Sequence, residues 1–132
     1  LYLLIRKPCN NLTLNFIRYE YYQIMKKANK KTNAAIIIIG NEILSGRTRD
    51  INVVNLSTWL NDLGVKVEEV RIVPDDEIAI VHTVNFLRKR FKYIFTTGGI
   101  GPTHDDITSK SIAKAFKLKY GKHKEAYRLL EK

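Results

Sequence analysis

From Ala34 onward the chain alternates between two hydrophobic rhythms. Ala35-Ile36-Ile37-Ile38-Ile39 is an unbroken apolar run closed by Gly40, the pattern of a strand buried on both faces. Val53, Leu56, Leu60 and Leu63 then recur at helical spacing, and Gly64 stands where a C-terminal cap belongs. Val65 to Val73 alternates imperfectly and reads as a second strand, punctuated by Pro74 and Asp75. Ile80, Val81, Val84, Leu87 and Phe91 line one face of a second helix. Tyr93 to Thr97 is the third strand. Ile112, Ala115 and Phe116 form the apolar face of a third helix, predicted to start near Asp105 and to break at Tyr120-Gly121, and Lys122 to Lys132 begins another. This βαβαβα order predicts an α/β fold: a mostly parallel sheet with helices on both faces, three layers in all, joined by right-handed crossovers. There is no internal repeat.

Residues 1–33 show neither period and read as a basic leader outside the core domain, which spans 34–132. The only methionine, Met25, opens a short polar stretch before the first strand, so residues 1–24 read as an upstream extension. The net charge of +10 invites a nucleic-acid partner, but its distribution argues against one. The leader holds seven Lys/Arg against one acid, and the remaining domain sixteen against twelve. A mildly basic domain suits an anionic small ligand. One cysteine, Cys9, excludes an internal disulfide framework and fits a reducing cytoplasm. No apolar run approaches the roughly 18 residues of a membrane helix.

In an open parallel sheet, ligands bind beyond the carboxyl ends of the strands where strand order reverses. If the first strand lies between the second and third, three loops meet there. The first, Gly40 to Asp50, carries Glu42, Ser45, Gly46, Arg47 and Arg49. The second is Pro74-Asp75-Asp76, and the third is Thr96-Thr97-Gly98-Gly99-Ile100-Gly101-Pro102-Thr103-His104-Asp105-Asp106-Ile107-Thr108. Three glycines in four positions leave a bare backbone that can aim several N–H groups at an anion, with the following helix adding its positive end. The candidate ligand and phosphate contacts are Gly40, Glu42, Ser45, Gly46, Thr97, Gly98, Gly99, Gly101, Pro102 and Thr108. Asp105 and Asp106 form an adjacent acidic pair of the kind that suits Mg²⁺, which takes one or two carboxylates plus phosphate oxygens.

Plainer readings stand beside these. The glycines could serve only a tight turn. One of Asp105 and Asp106 could be a helix cap, and Asp75 and Asp76 could start the second helix. His104 reads as a solvent-facing loop residue, Trp59 as packing, and no nucleophile–base pair stands out.

Together, Ile39-Gly40-Asn41-Glu42-Ile43-Leu44-Ser45-Gly46 with Asp50 and Asn52, Val73-Pro74-Asp75, and the glycine loop through Thr108 resemble the MoaB/Mog-type molybdopterin-binding domain. The resemblance is strongest to the branch at the N-terminus of CinA (competence-damage-inducible) proteins and of some eukaryotic FAD synthases. It implies a three-layer α/β fold that binds molybdopterin or a nucleotide-like phosphate at the glycine loop. In the molybdenum-cofactor branch, acids matching Asp75 and Asp106 support adenylylation of the pterin phosphate with magnesium, which makes these two the expected catalytic residues. In the CinA-like branch the similar domain is associated with metal-dependent hydrolysis of ADP-ribose-type pyrophosphates, and Asp105 with the Gly40–Gly46 segment pulls this chain toward that branch. The resemblance also implies a homo-oligomer. Members of the family continue past the point matching Lys132, so the C-terminal strands and a Pro/Gly-rich closing loop are expected to be missing, and an inactive truncated remnant stands as a further alternative.

Overall fold

The computed structural model describes residues 3–6, 32–99, 101 and 106–121. Four strands and four helices follow in order: β1 (Leu3–Arg6), β2 (Thr32–Ile39), α1 (Asn41–Leu44), α2 (Asn52–Asp62), β3 (Val65–Val73), α3 (Glu77–Leu87), β4 (Tyr93–Thr97) and α4 (Thr108–Ala115). The sheet order is β1-β4-β2-β3. β2 pairs in parallel with both β3 and β4, so the isoleucine strand is interior as its composition demands. β1 adds an antiparallel strand, with Leu3 opposite Thr96 and Arg6 opposite Tyr93. The sheet therefore reaches into the segment that reads as a leader, since Leu3–Arg6 and the Thr32-Asn33 start of β2 both belong to it. The polar stretch from Met25 and the helix expected after Lys122 lie outside the described residues.

Alternation along β2 splits the core in two. Ala35, Ile37 and Ile39 face α3 and α4, packing with Ile80, Val84, Leu87 and Ile112. Ala34, Ile36 and Ile38 face α2, packing with Leu56 and Leu60. The result is the expected three layers. The β2–β3 register slips at Ala34/Ala35, where Ala34 opposes Val67 and Ala35 opposes Glu69, leaving Glu68 as an extra residue. Val65 consequently faces the α2 side and Val73 the α3 side of the same strand.

Helix ends follow local chemistry. Asp76 caps α3 by accepting from the Ala79 N–H at 2.8 Å. Asp50 accepts from the Val53 N–H at 2.8 Å and so fixes the start of α2. α4 begins at Thr108, three residues later than the sequence predicts, and ends earlier, with Lys117 left-handed at φ 56°. There the Leu118 N–H closes onto the Ala113 carbonyl at 2.8 Å. No helix among the described residues is long and apolar enough to cross a membrane.

Candidate functional site: the glycine turn at the carboxyl edge of the sheet

The parallel pairing of β2, β3 and β4 sends all three carboxyl ends to one edge. β2 leads into Gly40, whose N–H continues the ladder onto the Val73 carbonyl at 3.1 Å. The next amide, Asn41, donates to Asp75 Oδ2 at 2.8 Å. Asp75 thus reaches from the end of β3 to the start of α1, while its neighbour Asp76 is spent on capping α3. The two acids, interchangeable on paper, are separated by the fold.

The β4 end is built by contact. Gly98 lies at φ 94°, and a Cβ there would stand 1.8 Å from the Ile39 carbonyl oxygen. Only a residue with no side chain lets the turn cross the end of β2 this closely. At Gly99 an added Cβ would come 2.6 Å from Thr108 Oγ1 and 3.4 Å from Asp75 Oδ1. The β3 acid and the first residue of α4 therefore both crowd the face of Gly99 from which a side chain would project. At Gly101 the atom facing the missing Cβ is Asp106 Oδ2, at 2.6 Å. Asp75 and Asp106, the two acids singled out from the sequence, both stand against the glycine turn.

Thr108 locks this turn from below. It is fully buried. Its hydroxyl donates to the Gly98 carbonyl at 2.9 Å and its amide to the Gly99 carbonyl at 3.1 Å. Because a trans peptide points its N–H opposite to the preceding carbonyl, the Gly99 N–H is turned away from α4. The first amide of α4 is thus committed to the loop. No local pattern signals this fastening role; on sequence alone Thr108 stands only among the ligand contacts.

The remaining candidates fall outward. Glu42 lies in the first turn of α1, its carboxylate against Gly40, where a Cβ would meet Oε1 at 2.6 Å. Ser45 and Gly46 sit on an exposed turn that closes on itself: Ser45 Oγ donates to the Glu42 carbonyl at 3.1 Å and accepts from Arg47 Nε at 3.1 Å. Thr97 is buried at the end of β4, on the α2 side. Pro102 and Asp105, like His104, lie outside the described residues. Among the described residues, no three His, Cys, Asp or Glu side chains gather into a metal cage. A cation here would rest on one or two carboxylates and draw its other ligands from phosphate oxygens and water, the habit of Mg²⁺.

Comparison with known proteins identifies the fold and the family. Residues 35–132 match the family described as "Probable molybdopterin binding domain". A probable FAD synthase of Caenorhabditis briggsae is 42% identical over 92 residues, 70% of this chain and 17% of that protein. A CinA-like protein of Amoebophilus asiaticus is 44% identical over 80 residues, 60% of this chain and 19% of that protein. The chain thus spans less than a fifth of the length of either relative. The crystal structure of CinA from Thermoplasma acidophilum superposes with a TM-score of 0.66 at 29% identity, covering 74% of this chain and 58% of that one. MoaB of Thermus thermophilus shares the fold, with a TM-score of 0.53 at 21% identity over 63% of this chain and 54% of that one. The chain belongs to the molybdopterin-binding-domain family, and within it is similar to the CinA-like branch.

Proposed function

We propose that the domain binds a phosphate-bearing small molecule, a pterin or a nucleotide, with the phosphate against the bare main chain of Gly98–Gly101. The observation that carries this is the setting of Gly99, where Thr108 and Asp75 stand in the space a side chain would need. Glu42, Asp75 and Asp106 make the surroundings of the turn acidic, so a bare phosphate would be repelled. A divalent cation shared between the acids and the phosphate resolves the conflict, with Asp75 and Asp106 as its protein ligands. When bound, such an ion neutralises and polarises the phosphate.

The test is calorimetric titration of the whole chain with ADP-ribose and with FAD, with and without Mg²⁺. Binding should require the metal and weaken at least tenfold in both Gly99→Val and Asp75→Asn. Metal-independent binding, or binding indifferent to both substitutions, would overturn the assignment.

A second reading, metal-dependent hydrolysis of a pyrophosphate, is favoured by the two acids standing against one glycine turn and by the CinA-like and FAD synthase relatives. Release of AMP from ADP-ribose or FAD with Mg²⁺ or Co²⁺ separates it from binding alone.

A further inference from the structure

The domain's modest net charge conceals a strong separation of charge along the strand axis. At the carboxyl edge the described acids are Glu42, Asp50, Asp75, Asp76, Glu77 and Asp106, against Arg47, Arg49, Lys110 and Lys114, the last paired with Glu77. At the opposite edge the order reverses. Lys66 lies at the start of β3, Arg88, Lys89, Arg90 and Lys92 crowd the turn between α3 and β4, and Lys117 and Lys119 follow α4. Among the described residues, Asp62, Glu68 and Glu69 oppose them there.

Contacts show that these segments form one surface. The Lys92 N–H donates to Asn33 Oδ1 at 3.2 Å, and Asn33 Nδ2 donates to Glu68 at 3.1 Å. Arg90 reaches Glu69 at 2.8 Å, and Arg88 lies over the Phe116 ring at 4.8 Å, bringing the end of α4 beside the turn. The acids are already engaged: Glu68 by Lys66 at 3.5 Å, and Glu69 by Arg71 at 2.6 Å as well as by Arg90. Helix C-termini favour some cations here, but seven against three exceeds what the three helix dipoles ending here offset.

Aromatic rings are interleaved with the cations. Phe86 lies beneath Arg71 and Arg90 at 4.4 and 5.3 Å and remains 40% exposed, and Tyr120, beside Lys119, is 59% exposed. A row of cations beside rings partly open to solvent suits single-stranded nucleic acid, whose phosphates pair with the charges while its bases stack. An anionic bilayer fits less well, because the aliphatic side chains most open to solvent, Ile51, Val54 and Ile78, stand at the starts of α2 and α3, on the other edge.

We infer that the amino edge of the sheet, from Lys66 through the Arg88–Lys92 turn to Lys119, binds single-stranded nucleic acid, independently of the glycine turn. The test is fluorescence anisotropy of a labelled 12-nucleotide oligouridylate with the full chain. Four phosphate contacts predict a log–log salt slope of about −2.8, a weakening of roughly 50-fold between 50 and 200 mM salt. The exposed charge reversals K89E, K117E and K119E combined should weaken binding at least tenfold, with an unchanged melting transition and unchanged Mg²⁺-dependent titration by ADP-ribose. The inference is overturned by absence of binding at 50 mM salt or by equal binding of the reversed variant, which would locate the contact in residues 1–31. Phosphatidylserine vesicles that displace the oligonucleotide at equal charge concentration would overturn it too.

Discussion

Replacing Gly98 by alanine tests the construction of the site most directly. The backbone at φ 94° is left-handed, which costs a residue with a Cβ about 1–2 kcal/mol. The new methyl would also stand 1.8 Å from the Ile39 carbonyl oxygen and 2.9 Å from its carbon, where ordinary contact begins near 3.4 Å. Ile39 cannot retreat cheaply, since it pairs with Val73 and the following Gly40 N–H holds the Val73 carbonyl. Either the turn or the end of β2 must move, and the total loss should reach about 3 kcal/mol or more. Gly46→Ala is the control: φ is 72°, but nothing lies within 4 Å of an added Cβ, so only the conformational term of about 1 kcal/mol applies. In a domain of this size these losses lower Tm by roughly 12–24 °C and 4–8 °C. Urea titration followed by fluorescence of Trp59, the single tryptophan, which packs against the α2 half of the core, reads both. Equal losses in the two variants would refute the argument that contact with β2, and not conformation alone, fixes glycine at position 98.

Other outcomes follow from the same geometry. Thr108→Val should cost about 1–2 kcal/mol by leaving the Gly98 carbonyl without its partner, and should speed hydrogen exchange of the Thr108 amide. Asp76→Ala removes the α3 cap for about 1 kcal/mol, measured by urea denaturation, and leaves ADP-ribose titration unchanged. Asp75→Asn keeps an oxygen for the Asn41 amide, so stability should change by less than about 1 kcal/mol while Mg²⁺-dependent binding falls at least tenfold in calorimetry. Leu60→Ala, at a fully buried position, should lose about 2–5 kcal/mol in the same urea assay.

Much of the architecture was legible because each element carries one dominant signal. The β-branched run at Ile36–Ile39 places an interior strand, and the spacing of Leu56 and Leu60 places a helix face. What escaped depends on partners distant in sequence. The start of α4 moves to Thr108 because the Gly99 carbonyl takes that amide, a contact no local pattern encodes. The short α1 hides in a stretch that reads as loop, and Leu3–Arg6 is too brief to announce itself as a strand. In the site, the acids Asp75 and Asp106 could be picked out, but the division of labour between Asp75 and Asp76 waits on knowing where Asn41 lies. Charge shows the same limit: sixteen cations and twelve acids average to little, and only the strand directions reveal that, among the described residues, acids predominate at one edge and cations at the other.

The surplus residue at Glu68 has a consequence for sequence itself. It acts as a phase shifter, so that odd-numbered positions of one strand serve one half of the interior before it and the other half after it. A relative that lacks this insertion must invert its polar and apolar positions over the second half of the strand, or turn its Val73 equivalent away from α3. An aligner that slides a gap past this point will mistake a change of parity for divergence.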